Sequence, residues 1–329
     1  MPTQEIILAG VTAFVITALL GPLMIPVLKK LKFGQSILEE GPSWHKSKQG
    51  IPTMGGILFG VGILAAFLIA GYGYYMHGDV TVLAALVLAL VFGAIGFCDD
   101  YIKVKKKRNL GLTAMQKLIL QVLAAAAFLI FLYSRGAITT SILIPFTNIV
   151  LELGLAYYIL ALLLIVGMVN AVNFTDGLDG LLSAVTIPVM LFCLAAGLRC
   201  GAQSVSVLAS AVVGGLAGFL IFNFHPAKIF MGDTGSLFLG GAVMGLLFCL
   251  NIPEIVIIAG IVYVIELLSV VLQVLVYKLT KKRIFKMAPI HHHFEMCGWS
   301  EVKIVCVFTL ISLIACAIAY LATGSFYCK

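Results

Sequence analysis

Long apolar runs alternate with short polar stretches along the whole chain. Ten runs approach or reach membrane-spanning length, at about 6–28, 53–72, 80–98, 116–133, 154–172, 181–198, 204–222, 235–251, 254–277 and 302–322. A run of roughly 20 apolar residues spans the hydrocarbon layer as a helix, because only a helix satisfies its own backbone there. The pattern predicts an all-α polytopic membrane protein with about ten transmembrane helices, folded as one integral-membrane unit over residues 1–329. The stretch 134–153 breaks the pattern. Two short β-branched runs flank Pro145-Phe-Thr-Asn148, which predicts a small outer β-hairpin.

Composition agrees. Of 329 residues, 62% are hydrophobic and 11% charged, against roughly 25% charged in a soluble domain. The mean hydropathy is +1.13. No basic segment precedes the first apolar run, so it reads as a retained anchor and not a cleaved signal. Eight cysteines include no CxxC, and no disulfide framework is visible. Most of them, including Cys193, Cys200, Cys249 and Cys316, lie in or at the ends of apolar spans, where cysteine acts as a small hydrophobe.

The net charge of +7 invites a nucleic-acid reading, but the placement of the charges opposes it. Of 21 lysines and arginines, all but Arg135, Arg199 and Lys329 fall in the loops after odd-numbered spans or at the adjoining helix ends. The positive-inside rule then puts those loops in the cytoplasm and both termini outside. The basic loops serve as orientation signals and contacts for anionic lipid, and no nucleic-acid partner is expected.

The polar motifs share those loops. The first runs from Gly41 to Gly56 and is rich in glycine and proline; Lys48 in it is either a phosphate or base contact or a positive-inside charge. Span three ends in Asp99-Asp100-Tyr-Ile-Lys103. Adjacent carboxylates at the unfavourable end of a helix dipole call for a cation: Lys103, a divalent metal or a phosphate-bound Mg2+. Lys117 and Gln121 follow on one face of span four. The central loop runs from Asn170 through Asn173, Asp176 and Asp179 to Leu181, with Gly177 and Gly180 each after an aspartate, as a ligand-holding turn or an ordinary polar one would have. Asn223 and Phe230 lead to Asp233, set between glycines at the start of span eight; such a carboxylate suits a metal-phosphate complex or caps a helix, a role open to Thr234 and Ser236 as well. Glu266 stands within span nine, with Ser269 and Gln273 on its face. The last cytoplasmic loop carries Pro289-Ile-His291-His292-His293-Phe-Glu295, with Cys297 nearby. Phosphate recognition suits these histidines at least as well as zinc, because adjacent histidines do not easily share one ion.

Five carboxylates converging on one face would repel each other unless a hard cation joined them. Mg2+ bridging a diphosphate resolves this and points to phosphoryl transfer between a soluble nucleotide and a lipid phosphate. A transporter is the competing class, but Glu266 is its one strong intramembrane candidate.

In order and spacing, GIPTMGG, DDYIK, NAVNFTDGLDG, FNFHPAKIFMGDTGS and PIHHHFE resemble the phospho-N-acetylmuramoyl-pentapeptide transferases of the polyprenyl-phosphate N-acetylhexosamine-1-phosphate transferase superfamily. The likeness covers essentially the whole chain. DDxxK and NxxDGxDG are shared across the superfamily, whereas PIHHHFE and GxPTMGG narrow it to this branch. One departure is Ile51, where the family usually has threonine. The resemblance implies transfer of phospho-N-acetylmuramoyl-pentapeptide from its UDP conjugate to undecaprenyl phosphate, giving lipid I and UMP, with Mg2+ as cofactor and a homodimer in the bilayer. It implies Asp233 as metal ligand and Asp99, Asp100, Asp233 and His291 as catalytic. It implies substrate contacts from Lys48, Lys103, Lys117, Asn170, Asn173, Asp176, Asp179, Asn223, Phe230, His292 and His293, with Phe230 on uracil. A sister enzyme handling N-acetylglucosamine 1-phosphate would share the aspartates but not PIHHHFE.

Overall fold

A computed structural model describes residues 2–31, 48–106, 110–147 and 149–324. Expectations about residues 41–47, about Lys32, Lys46, Lys107, Arg108 and Lys329 as orientation charges, and about Asn148 in the hairpin turn lie outside that set.

The helices are α1 (Pro2–Lys30), α2 (Gly56–Ala70), α3 (Tyr72–Met76), α4 (Val80–Lys106), α5 (Ala114–Ser134), α6 (Leu155–Thr175), α7 (Leu181–Arg199), α8 (Gln203–Asn223), α9 (Gly232–Cys249), α10 (Val256–Ala259), α11 (Ile261–Thr280), α12 (Ile290–Met296) and α13 (Glu301–Ala322). Among the described residues nine are long and apolar enough to cross a membrane; the remaining expected span is the 15-residue α2. The hairpin is present and short. β1 (Ser141–Leu143) pairs antiparallel with β2 (Val150–Glu152), with Ile142 opposite Leu151.

Three boundaries differ from expectation, and two of them bear on the site. Helix α4 continues eight residues past Cys98, to Lys106. Asp99 and Asp100 therefore sit inside a helix and not at its C-terminus, and the dipole argument does not apply to them. Helix α9 starts at Gly232 with Met231 as its N-cap, so Asp233 lies in the first turn and is not the cap. The ninth expected span is broken at Gly260 into α10 and α11, after a 3-10 turn at Pro253–Ile255. Cys200, read above as apolar filler, is disulfide-bonded.

Helix α9 is the axis of the bundle. Every residue from Thr234 to Phe248 is buried, as expected of a helix that is apolar all round. It packs against α4, α6 and α2. The contact with α4 is close because Gly96 has no side chain: a Cβ there would lie 2.0 Å from the Asp233 carbonyl oxygen. That approach sets Asp99 and Asp100, one turn further along α4, beside the start of α9.

The segment before α2 is tied to the segment before α9 by main-chain bonds. Phe230 N–H donates to the Pro52 carbonyl (2.8 Å), Gly55 N–H to Phe230 (2.9 Å) and Gly56 N–H to Met231 (3.0 Å). These bonds bring the Lys48 loop to the site. Helix α11 buries only the stripe Val262, Tyr263, Glu266 and Ser269 and turns Ile265, Leu268, Val271 and Leu272 outward. Glu266 faces protein, as an intramembrane carboxylate must.

Candidate active site

The carboxylates gather into two clusters. In the first, Asp99, Asp100 and Asp233 each offer an oxygen within 4.8 Å of the others. Asp100 is fixed by the start of α9: its Oδ2 accepts from Thr234 N–H (2.9 Å) and Thr234 Oγ1 (2.7 Å). Asp99 Oδ1 accepts from Leu112 N–H at 2.8 Å. Two lysines converge on Asp233 Oδ2, Lys103 from α4 and Lys117 from α5, each at 2.9 Å. Lys103 also pairs with Asp99 and lies 3.8 Å from Asp100. Asn173 donates to Asp233 Oδ1 (2.9 Å) and to Ser236 Oγ (2.7 Å). Asp99 and Asp100 are nearly inaccessible, whereas Asp233 and both lysines keep some exposure, so the cluster opens on their side.

Asp176, at the end of α6, belongs electrostatically to this cluster. Burial pushes its carboxyl up to about 8, and the charges of Asp233, Asp100 and Asp179 push the same way against a bond from the Gly232 backbone.

Asp179 turns the other way. Its Oδ1 pairs with Lys48 at 2.7 Å, and its Oδ2 receives Ala227 N–H (3.0 Å) and faces His225 Nδ1 (3.1 Å). Lys48 also reaches Glu301, in the first turn of α13, at 2.7 Å. Four segments distant in sequence are thereby tied together. Asp176 and Asp179, three residues apart, serve separate clusters.

His291 is fully buried, and its Nδ1 bonds Glu266 Oε1 at 3.0 Å. Its Nε2 has no partner among the described residues. It points at Gly177, where a Cβ would lie 2.1 Å from that nitrogen. Glu266 thus holds the imidazole directly under the central loop. His292 Nδ1 lies 2.6 Å from Glu295 Oε2. His293 Nδ1 accepts from Lys286 N–H (3.1 Å), and its ring packs on Phe285, so this histidine braces the loop. Gln273 grips the same loop, accepting from Ile284 and Phe285 N–H groups. Cys297 Sγ lies 3.8 Å from His293 Nε2, but no metal-holding group of three among the described residues includes the histidine run.

Other expected contacts are engaged with protein. Asn170 spends its amide on Gln121 (2.7 Å) and the Val166 carbonyl (2.8 Å). Buried Asn223 donates to the Ile229 carbonyl at 3.0 Å and shapes the α8–α9 turn. Phe230 is half-buried beside the Lys48 segment. Glu301, His225, Thr234 and Ser236 carry site contacts that sequence reasoning did not assign. A lone Glu301 after Ser300 reads as helix capping, and Ser300 does cap α13, accepting from Lys303 N–H. Thr234 and Ser236, considered above as caps, instead bond Asp100 and Asn173.

The donor set of the first cluster is all oxygen, which fits a hard divalent cation such as Mg2+. Buried carboxylates faced by two ammonium groups suit a polyphosphate whose charge is shared between metal and lysine.

Comparison with known proteins agrees with this chemistry. Residues 82–251 match the model of glycosyl transferase family 4, and residues 48–59 match phospho-N-acetylmuramoyl-pentapeptide-transferase signature 1. Similar curated relatives include phospho-N-acetylmuramoyl-pentapeptide-transferases of Clostridium botulinum (strain Alaska E43 / Type E3), 48% identical over 94% of each chain, and of Clostridium perfringens (strain SM101 / Type A), 48% over 97% of each. The same-named protein of Bacillus thuringiensis (strain Al Hakam) is 48% identical over 94% of each chain. With a family model spanning half the chain and relatives matching nearly all of it, the chain belongs to the phospho-N-acetylmuramoyl-pentapeptide-transferase family.

Proposed function

We infer that the chain transfers phospho-N-acetylmuramoyl-pentapeptide from its UDP conjugate to undecaprenyl phosphate, giving lipid I and UMP. The observation that carries this reading is the Asp99, Asp100 and Asp233 cluster faced by Lys103 and Lys117, in a chain of this family. An oxygen of the lipid phosphate bonds to the phosphorus that carries the sugar, and the bond from that phosphorus to the UMP oxygen breaks. A phosphate monoester has a second pKa of about 6, so the attacking group is largely dianionic at neutral pH and needs little help from a base. Direct attack therefore suffices without a phospho-aspartate.

Asp233 would hold Mg2+, with Asp99 and Asp100 beside it to share the ion's charge or orient the lipid phosphate. When bound, the ion neutralises charge on the diphosphate. Lys103 and Lys117 hold phosphate oxygens. His291, fixed by Glu266, faces the diphosphate through the Gly177 turn. Lys48, Asn173, Asp176, Asp179 and Phe230 form the nucleoside side of the site. The excess of basic residues in these loops supports a site on the cytoplasmic face with both termini outside. A homodimer completes the reading, on the family resemblance.

Asp233→Asn removes the charge but keeps the shape. UMP release should vanish while the thermal unfolding midpoint stays close to wild type. Mg2+-dependent turnover near the wild-type rate would sink the assignment.

A further inference from the structure

The two lysines on Asp233 are not equivalent. Lys103 is the more heavily paired: it lies on the same helix as Asp99 and Asp100 and contacts both as well as Asp233. Lys117 comes from α5, and its one ion pair among the described residues is with Asp233 Oδ2, at 2.9 Å. The other oxygen, Oδ1, is held by the Asn173 amide at 2.9 Å. A metal ligated by Asp233 and the Lys117 ammonium group therefore compete for one position.

The charges make the competition consequential. With all groups ionised, the three carboxylates against two ammonium groups leave one negative charge. A divalent cation turns this into one positive charge, a surplus that a diphosphate would neutralise. We propose that Lys117 is an exchangeable counter-ion: it holds Asp233 in the resting enzyme and passes to phosphate oxygens of the nucleotide when the divalent cation takes that carboxylate. Lys103 keeps its contacts with Asp99 and Asp100 throughout, including while it holds phosphate. The proposal deepens the transferase reading and rests on Asp233 as the metal ligand.

An ammonium group 2.9 Å from a ligating oxygen lies at most about 5 Å from the ion on it. Even with the full dielectric of water, repulsion at that distance weakens divalent binding by at least about tenfold. The test is Mn2+ titration of the full-length protein in detergent, read by loss of the free-ion EPR signal. Wild type, Lys117→Met, Lys117→Gln and Lys117→Arg are compared with and without UDP, after checking that each unfolds cooperatively. Without nucleotide, the Met or Gln variant should bind Mn2+ at least about tenfold more tightly than wild type, and Arg should stay close to wild type. UDP should tighten Mn2+ in wild type and much less in the neutral variants. Equal or weaker Mn2+ binding by both neutral variants would overturn the exchange while leaving the metal site intact. A wild-type protein that binds no Mn2+ would overturn the exchange and the metal assignment together.

Discussion

Gly96→Ala adds one carbon at the closest approach of α4 and α9. Its Cβ would lie 2.0 Å from the Asp233 carbonyl oxygen, 2.3 Å from the carbonyl carbon and 2.7 Å from Thr234 N. Real Cβ contacts do not fall below 3.0 Å, so the two backbones must part by about 1 Å. No flexible side chain is available to yield, because the obstructing atoms are main chain. Overpacking of this kind costs about 1–3 kcal/mol. The functional cost should be larger in proportion. Asp99 and Asp100 ride on α4 just past Gly96, Asp233 rides on α9, and Thr234 ties Asp100 across the gap. A misplacement of about 1 Å among reacting groups can cost on the order of 100-fold in rate. The assay pairs UMP release with thermal unfolding. Gly60→Ala in α2 is the matched control, since nothing lies within 4 Å of its Cβ and alanine favours a helix by up to about 1 kcal/mol. Gly96→Ala should lose about 100-fold in kcat and unfold at a lower temperature, while Gly60→Ala keeps both. Wild-type kcat and stability for Gly96→Ala would refute the claim that this crossing sets the carboxylate geometry.

Glu301→Gln should raise KM for the UDP substrate by about tenfold with a smaller change in kcat. Lys48 loses one charged partner but keeps Asp179, and a hydrogen bond to a charged group is worth about 1.5–3 kcal/mol at most. A lowered kcat with unchanged KM would show that Glu301 acts elsewhere. Asp176 gives a pH signature in metal-free protein. The unfolded chain releases this proton near 3.8 and the folded chain near 8, so the contribution is fully present below about pH 4 and is lost as pH rises through 8. Asp176→Asn should therefore show a shallower fall of the unfolding midpoint between pH 5 and 8, measured by differential scanning fluorimetry at about five pH values. Parallel pH curves for the two proteins would contradict it.

Most of the helical architecture is legible because apolar runs bounded by polar loops permit one kind of structure in a bilayer. The hairpin is legible for a different reason: β-branched runs around a proline turn. The detailed boundaries are less so. Polar residues in a helix that leaves the membrane still form backbone hydrogen bonds, so α4 runs on to Lys106 although its apolar run ends at Cys98. The site loops declare themselves through chemistry that an apolar chain has no structural reason to carry, and that marks Asp99, Asp100, Asp176, Asp179 and Asp233. Their partition is invisible at that level. Asp176 and Asp179 part company because the turn between α6 and α7 points them at different neighbours. Lys48, Asp179 and Glu301 meet across more than a hundred residues, which no local pattern encodes. The burial of His291 on Glu266 likewise follows from tertiary packing and not from the histidine run.

UMP release by purified protein in detergent, with undecaprenyl phosphate and Mg2+, tests the central claim most directly. UDP-N-acetylmuramoyl-pentapeptide is supplied in one reaction and UDP-N-acetylglucosamine in another. Release with the muramoyl substrate alone, abolished by EDTA and restored by Mg2+, is the expected result. Release only with the glucosamine substrate would keep the phosphoryl chemistry but contradict the substrate assignment. No release with either, from well-folded protein supplied with lipid, would contradict the transferase account itself.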